Sequence, residues 1–114
     1  MPAKANPGKL NPLQLRTLAI LQELARDPHH ALPPDPSGAV AITNLPHPHG
    51  DHFHVGSFMV SSRDASGLFN EAVWKALERK GLARAAFPQV ITLTPEGLAY
   101  DTGIRREVMH HGHH

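Results

Sequence analysis

The chain has 114 residues, 40% of them hydrophobic and 18% charged, and a formal net charge of +1 with histidines neutral. That size suits one domain with a modest core, and that composition is unlike a highly charged disordered chain. The lack of cysteine excludes a disulfide scaffold and any thiolate metal site, and a charge so near zero does not by itself announce a nucleic-acid partner.

No apolar run approaches the roughly 20 residues of a membrane span. The opening MPAKANPGKLNP has no apolar stretch of the secretory kind. A cytoplasmic protein without a membrane partner is therefore expected. Residues 1–10, with Lys4 and Lys9, read as a flexible arm, and 11–108 as a single domain. Asn11 suits an N-cap, Pro12 the first helical position, and Gln14 can close a capping box. Leu10 and Leu15 stand where a hydrophobic staple would hold the helix entry. Leu13, Leu15, Leu18, Ile20, Leu21, Leu24 and Ala25 then form an apolar face at helical spacing. Pro28 disfavours helical geometry before it, so the helix should stop near Asp27. His29 and His30 follow where the negative end of the helix favours them.

Residues 28–38 read as a loop. Ala39–Thr43 and His52–Ser61 are β-type runs, and together they predict a hairpin over about 39–61 closed by a long turn. Phe58, Met59 and Val60 are consecutive, so the pattern does not say which face of the second run is buried. Asp64 or Ser66 is expected to cap a helix over 67–80, with Phe69, Val73, Trp74, Ala76 and Leu77 on its apolar stripe. Trp74 reads as core or an oligomer contact, and Arg63 and Asp64 as turn and cap. Gly81 is a natural residue after the helix, with Leu82 available for the contact that follows. Short strands, Ala83–Ala86 and Gln89–Leu93, join through Phe87-Pro88. Thr94-Pro95-Glu96 then starts a C-terminal helix through Leu98, Ala99 and Tyr100. Gly103 ends it, or a further turn takes in Arg105, Arg106 and Val108. Residues 109–114 read as a flexible histidine-rich tail.

The stretch Ala76–Tyr100, ALERKGLARAAFPQVITLTPEGLAY, resembles the end of the winged helix in MarR-type transcriptional regulators. Leu77, Gly81 and Leu82 match the close of that family's recognition helix. Leu93, Thr94, Pro95, Glu96 and Gly97 match the strand and helix start that follow its two-stranded wing. The resemblance implies an α+β, winged-helix-like fold, with DNA and a second copy of the chain as partners. It implies nucleic-acid contacts from Lys75, Arg79 and Lys80 on the helix and Arg84 on the wing. Two departures stand out. Where the family has another helix before the recognition helix, His52–Ser62 reads as strand. Glu71 and Glu78 also offset the basic residues.

Ten histidines invite a second reading, because imidazole binds borderline metals and titrates near neutral pH. Within His47–His54, five residues are candidate ligands: His47, His49, Asp51, His52 and His54. On a strand His52 and His54 point to one face, and the loop residues could complete a site for Zn, Ni or Cu. The run His47-x-His49-x-Asp51-His52 also resembles, letter for letter, the metal motif of the metallo-β-lactamase superfamily. That fold needs roughly 200 residues, and Val55–Met109 holds no histidine to supply further ligands. No Ser-His-Asp spacing, phosphate-binding loop or dinucleotide fingerprint occurs, so neither an enzyme nor a small-molecule cofactor is expected. The sequence thus predicts a winged-helix-like DNA-binding or interaction domain, open to modulation by metal or pH. The alternative is a small histidine-rich metal-binding protein with no DNA role, and a metallo-hydrolase-like site is a remote third.

Overall fold

The first helix, α1 (Pro12–Leu24), begins as its sequence dictates. In this computed structural model, which describes residues 5–111, Asn11 Oδ1 accepts the Gln14 N–H at 2.8 Å. Gln14 Oε1 in return accepts the Asn11 N–H at 3.1 Å, completing the capping box. The helix ends at Leu24, three residues short of Asp27, and turn hydrogen bonds carry the chain on to Asp27. Leu18, Ile20, Leu21 and Leu24 are fully buried.

The remaining helices are α2 (Glu71–Arg79), α3 (Pro95–Ala99) and α4 (Arg105–Val108). The strands are β1 (Val40–Ile42), β2 (Pro48–His49), β3 (His52–Val55), β4 (Phe58–Ser61), β5 (Ala83–Ala86), β6 (Val90–Leu93) and β7 (His110–His111). They form two antiparallel sheets, one ordered β1-β6-β5 and the other β2-β3-β4-β7. The chain is thus an α+β protein, and no helix among the described residues is long and apolar enough to cross a membrane.

The expected hairpin over 39–61 does not form. β1 pairs with β6 instead, Val40 opposite Leu93 and Ile42 opposite Ile91, and all four side chains are buried. The run His52–Ser61 is itself a hairpin, folded back at Gly56, whose φ of +61° is open to glycine at little cost. Phe53 opposes Val60 on the core side, which settles the face left open by the sequence. β3 therefore has both its edges occupied, by β2 and β4, and no edge remains for β1.

The expected helix over 67–80 is divided. Ser66–Phe69 is a 3-10 turn, and α2 begins after it. Neither Asp64 nor Ser66 caps α2. Asn70, in extended backbone, does so by accepting the Ala72 N–H at 3.0 Å. Ser66 Oγ instead donates to the Arg63 carbonyl at 3.0 Å, and Asp64 Oδ1 stands 3.4 Å from Arg16 Nε, without hydrogen-bond alignment. Trp74 is core: it is fully buried, its Nε1–H donates to the Leu68 carbonyl at 3.0 Å, and its ring meets Phe87 edge-on.

The described parts of both terminal segments are tied to the fold. In the arm, Leu10 is buried, Asn6 accepts the Leu10 N–H at 2.8 Å, and the Tyr100 hydroxyl accepts the Gly8 N–H at 2.8 Å. In the tail, Met109 is buried and β7 adds to the second sheet beside β4. The outer ends of both segments, with Lys4, His113 and His114, lie outside the described residues.

Candidate functional site

The second sheet gathers the histidines. Side chains alternate along a strand, and directly opposed residues share a face. Phe53 and Val55 point into the core, so His52 and His54 point outward. The register then brings His49 opposite His52, Met59 opposite His54, and His110 opposite Met59. One outward face thus carries His49, His52, His54, Met59 and His110.

The His54 ring meets both His49 and His52 edge-on. Ring centroids lie 5.0 Å apart for His52 and His54, 5.1 Å for His49 and His54, and 6.4 Å for His49 and His52. The polar contact made by these rings among the described residues is His52 Nδ1 to Asp51 Oδ1 at 3.4 Å, too long to hold either side chain firmly. As they stand, no three His, Asp or Glu side chains among the described residues are placed to hold a metal ion. Of the five ligands expected from sequence, three come together. His47 lies exposed on the segment before β2, and Asp51 projects fully into solvent at the turn. The letter match to the metallo-hydrolase motif therefore does not place His47, His49 and His52 around one point.

Met59 and His110, which share this face, were not among the five residues singled out in the His47–His54 segment. Met59 stood in an apolar run of undecided facing, and His110 in an expected tail. Neither carried a local signal, because their facing is decided by pairing between β4 and β7, distant in the chain.

The second candidate surface lies on α2 and the β5–β6 hairpin. Val73, Trp74, Ala76 and Leu77 bury one side of α2, and Glu71, Ala72, Lys75, Glu78 and Arg79 are exposed on the other. Lys75 Nζ lies 3.6 Å from Glu71 Oε2, one helical turn away, with both side chains largely exposed. Such pairs contribute little and open readily. Glu78 Oε2 reaches the Ala85 N–H at 3.5 Å, linking the helix to β5. Arg84 Nη2 stands 3.9 Å from Asp35 Oδ2. Asp35 is held below the usual carboxylate range, chiefly by the Ser37 hydroxyl, then by the Ser37 and Ala39 backbone N–H groups and the Arg84 charge. A cleft of about 450 Å³ opens on the outer face of this sheet, with Leu32, Asp35, Ala41, Arg84, Val90 and Thr92 among its lining residues and no histidine.

The two halves of the Ala76–Tyr100 stretch meet in space. Thr94 Oγ1 accepts the Gly97 N–H at 3.1 Å as the N-cap of α3, and donates to the Gly81 carbonyl at 2.8 Å. The Thr94 N–H donates to the Leu82 carbonyl at 3.1 Å. A Cβ at Gly97 would lie 2.0 Å from the Leu82 carbonyl oxygen, so only glycine fits the contact. Compared with family models, curated proteins and solved structures, the chain has no match.

Proposed function

We propose that the chain is a winged-helix-like domain that contacts nucleic acid through the exposed side of α2 and the β5–β6 hairpin. The observation that carries the reading is the connection α1–β1–α2–β5–β6, with β1 paired to β6 and β6 central in its sheet. This is the arrangement expected where a hairpin follows a recognition helix and an earlier strand closes the sheet beside it. β2, β3, β4 and the 3-10 turn occupy the place of the additional helix. The free side of α2 supports the same reading, since a helix packed on all sides could not enter a groove.

Lys75, Arg79, Lys80 and Arg84 would contact phosphates. None of them is a dedicated base reader on this account, so binding should be weak and sequence-tolerant. A domain neutralising at most about four phosphates should lose affinity with salt at a log–log slope of roughly −3 to −4. The test is fluorescence anisotropy of a labelled DNA duplex across a salt series. The variant Lys75→Ala/Arg79→Ala/Lys80→Ala should bind more weakly and flatten that slope by about 3. Equal binding and equal slope for variant and parent would remove α2 from the contact. Absence of DNA binding at low salt would leave the same fold serving a protein partner.

A further inference from the structure

We propose that the outward face of the second sheet binds one borderline-to-soft transition-metal ion, copper in preference to zinc. His49, His52 and His54 are the primary ligands, and Met59 and His110 stand beside them to complete the set. Metal binding at this face is independent of any contact with nucleic acid.

Ring spacing carries the first part. Three imidazole nitrogens about 2.0–2.1 Å from one tetrahedral ion put their ring centroids roughly 5 Å apart. Two of the three observed separations, 5.0 and 5.1 Å, already have that value, and the third is 6.4 Å. The rings now meet edge to face, at 85° and 74°, with their nitrogens not yet aimed at one point. Aiming them at one ion requires the rings to turn and the 6.4 Å gap between His49 and His52 to close. His49 and His54 are exposed and His52 half-buried, and the 3.4 Å contact to Asp51 offers little resistance.

Register carries the second part. Met59 lies between His54 and His110 in one row across β3, β4 and β7. Directly opposed residues have their Cβ atoms about 4.5–5.5 Å apart, within reach of a shared ion. A thioether is a soft ligand that zinc seldom uses and Cu(I) favours. An imidazole–thioether row therefore selects copper over zinc, and Ni²⁺ should behave like zinc. Because His110 lies on β7, a bound ion would also fasten the C-terminal strand to the hairpin.

The test must separate this face from the terminal histidines. In a chain carrying His111→Ala, His113→Ala and His114→Ala, calorimetry with Cu(I) under anaerobic conditions and with Zn²⁺ should show one ion bound per chain. His52→Gln/His54→Gln should weaken both metals by about tenfold or more for each ligand removed, with the thermal transition of the metal-free chain unchanged. Met59→Leu should weaken Cu(I) and leave Zn²⁺ as it was. In ¹H–¹⁵N spectra of the unsubstituted chain, Zn²⁺ should shift the imidazole signals of His49, His52, His54 and His110 together. No stoichiometric binding in the tail-substituted chain would overturn the proposal. So would binding indifferent to His52→Gln/His54→Gln, or spectra in which only the terminal histidines move. A Cu(I) affinity unchanged by Met59→Leu would overturn the preference for copper.

Discussion

At the scale of single residues, the side chains that matter most serve two elements at once. Trp74 fills the space under α2 and satisfies the Leu68 carbonyl at the end of the 3-10 turn. Trp74→Ala should cost about 3–5 kcal/mol, measured by denaturant unfolding. Trp74→Phe should cost less, since it forfeits mainly the N–H bond. Thr94 caps α3 and holds the end of α2 through Gly81. Thr94→Ala should cost about 1–2 kcal/mol, and Thr94→Ser much less, because serine keeps the cap. Asp35 offers a pH-dependent check. Its carboxyl is held below the usual range by hydrogen bonds and by Arg84, so its ionised form is favoured in the fold. Its stabilisation is complete at neutral pH and disappears as pH falls through the lowered pKa. The thermal transitions of parent and Asp35→Asn should therefore differ at pH 7 and converge in strong acid. A gap that persists there would assign the effect to packing.

At the scale of elements, local chemistry was legible wherever a cap or a glycine decided the geometry. Asn11, Thr94 and Gly81 act as their sequence context predicts, Gly81 with a φ of +77°. Pairing was not legible, because it is decided by partners distant in the chain. Val40 and Ile42 find Leu93 and Ile91 about fifty residues away, and an alternating triplet carries no address. The split of the second helix was missed for a different reason. Phe69 continues the apolar stripe of α2 in sequence yet is half exposed, while Asn70 leaves the helical region just before α2 begins. Within the expected histidine-rich tail, the strand at His110–His111 was not legible, because its partner, β4, lies about fifty residues away. Met109→Ala should cost about 2–4 kcal/mol, as removal of a core methionine does. An unfolding midpoint insensitive to that change would show that β7 does not dock. Gly97→Ala should destabilise strongly as well, since its Cβ has no space beside the Leu82 carbonyl.

At the scale of the whole molecule, two functions would occupy two sheets. The first sheet, with α2, presents basic side chains offset by Glu71 and Glu78. The second presents imidazoles and a thioether. α1 packs against α2 and α3 and also against β3 and α4, and so joins the two regions. Arg105 strengthens that join, pairing with Glu23 of α1 at 2.8 Å while its guanidinium lies 5.1 Å from the Phe58 ring centroid on β4. The histidine segment was the strongest chemical signal in the sequence; alternation already put His52 and His54 on one face, and the fold adds His49 through its pairing with His52.

The most direct test of the central claim is a ¹H–¹⁵N spectrum recorded during addition of a short DNA duplex at low salt. Backbone signals of residues 71–80 and 84–89 should shift in proportion to bound DNA, while those of β3 and β4 stay in place. Shifts confined to the histidine sheet, or none at saturating DNA, would contradict the assignment of α2 and its hairpin as a nucleic-acid contact.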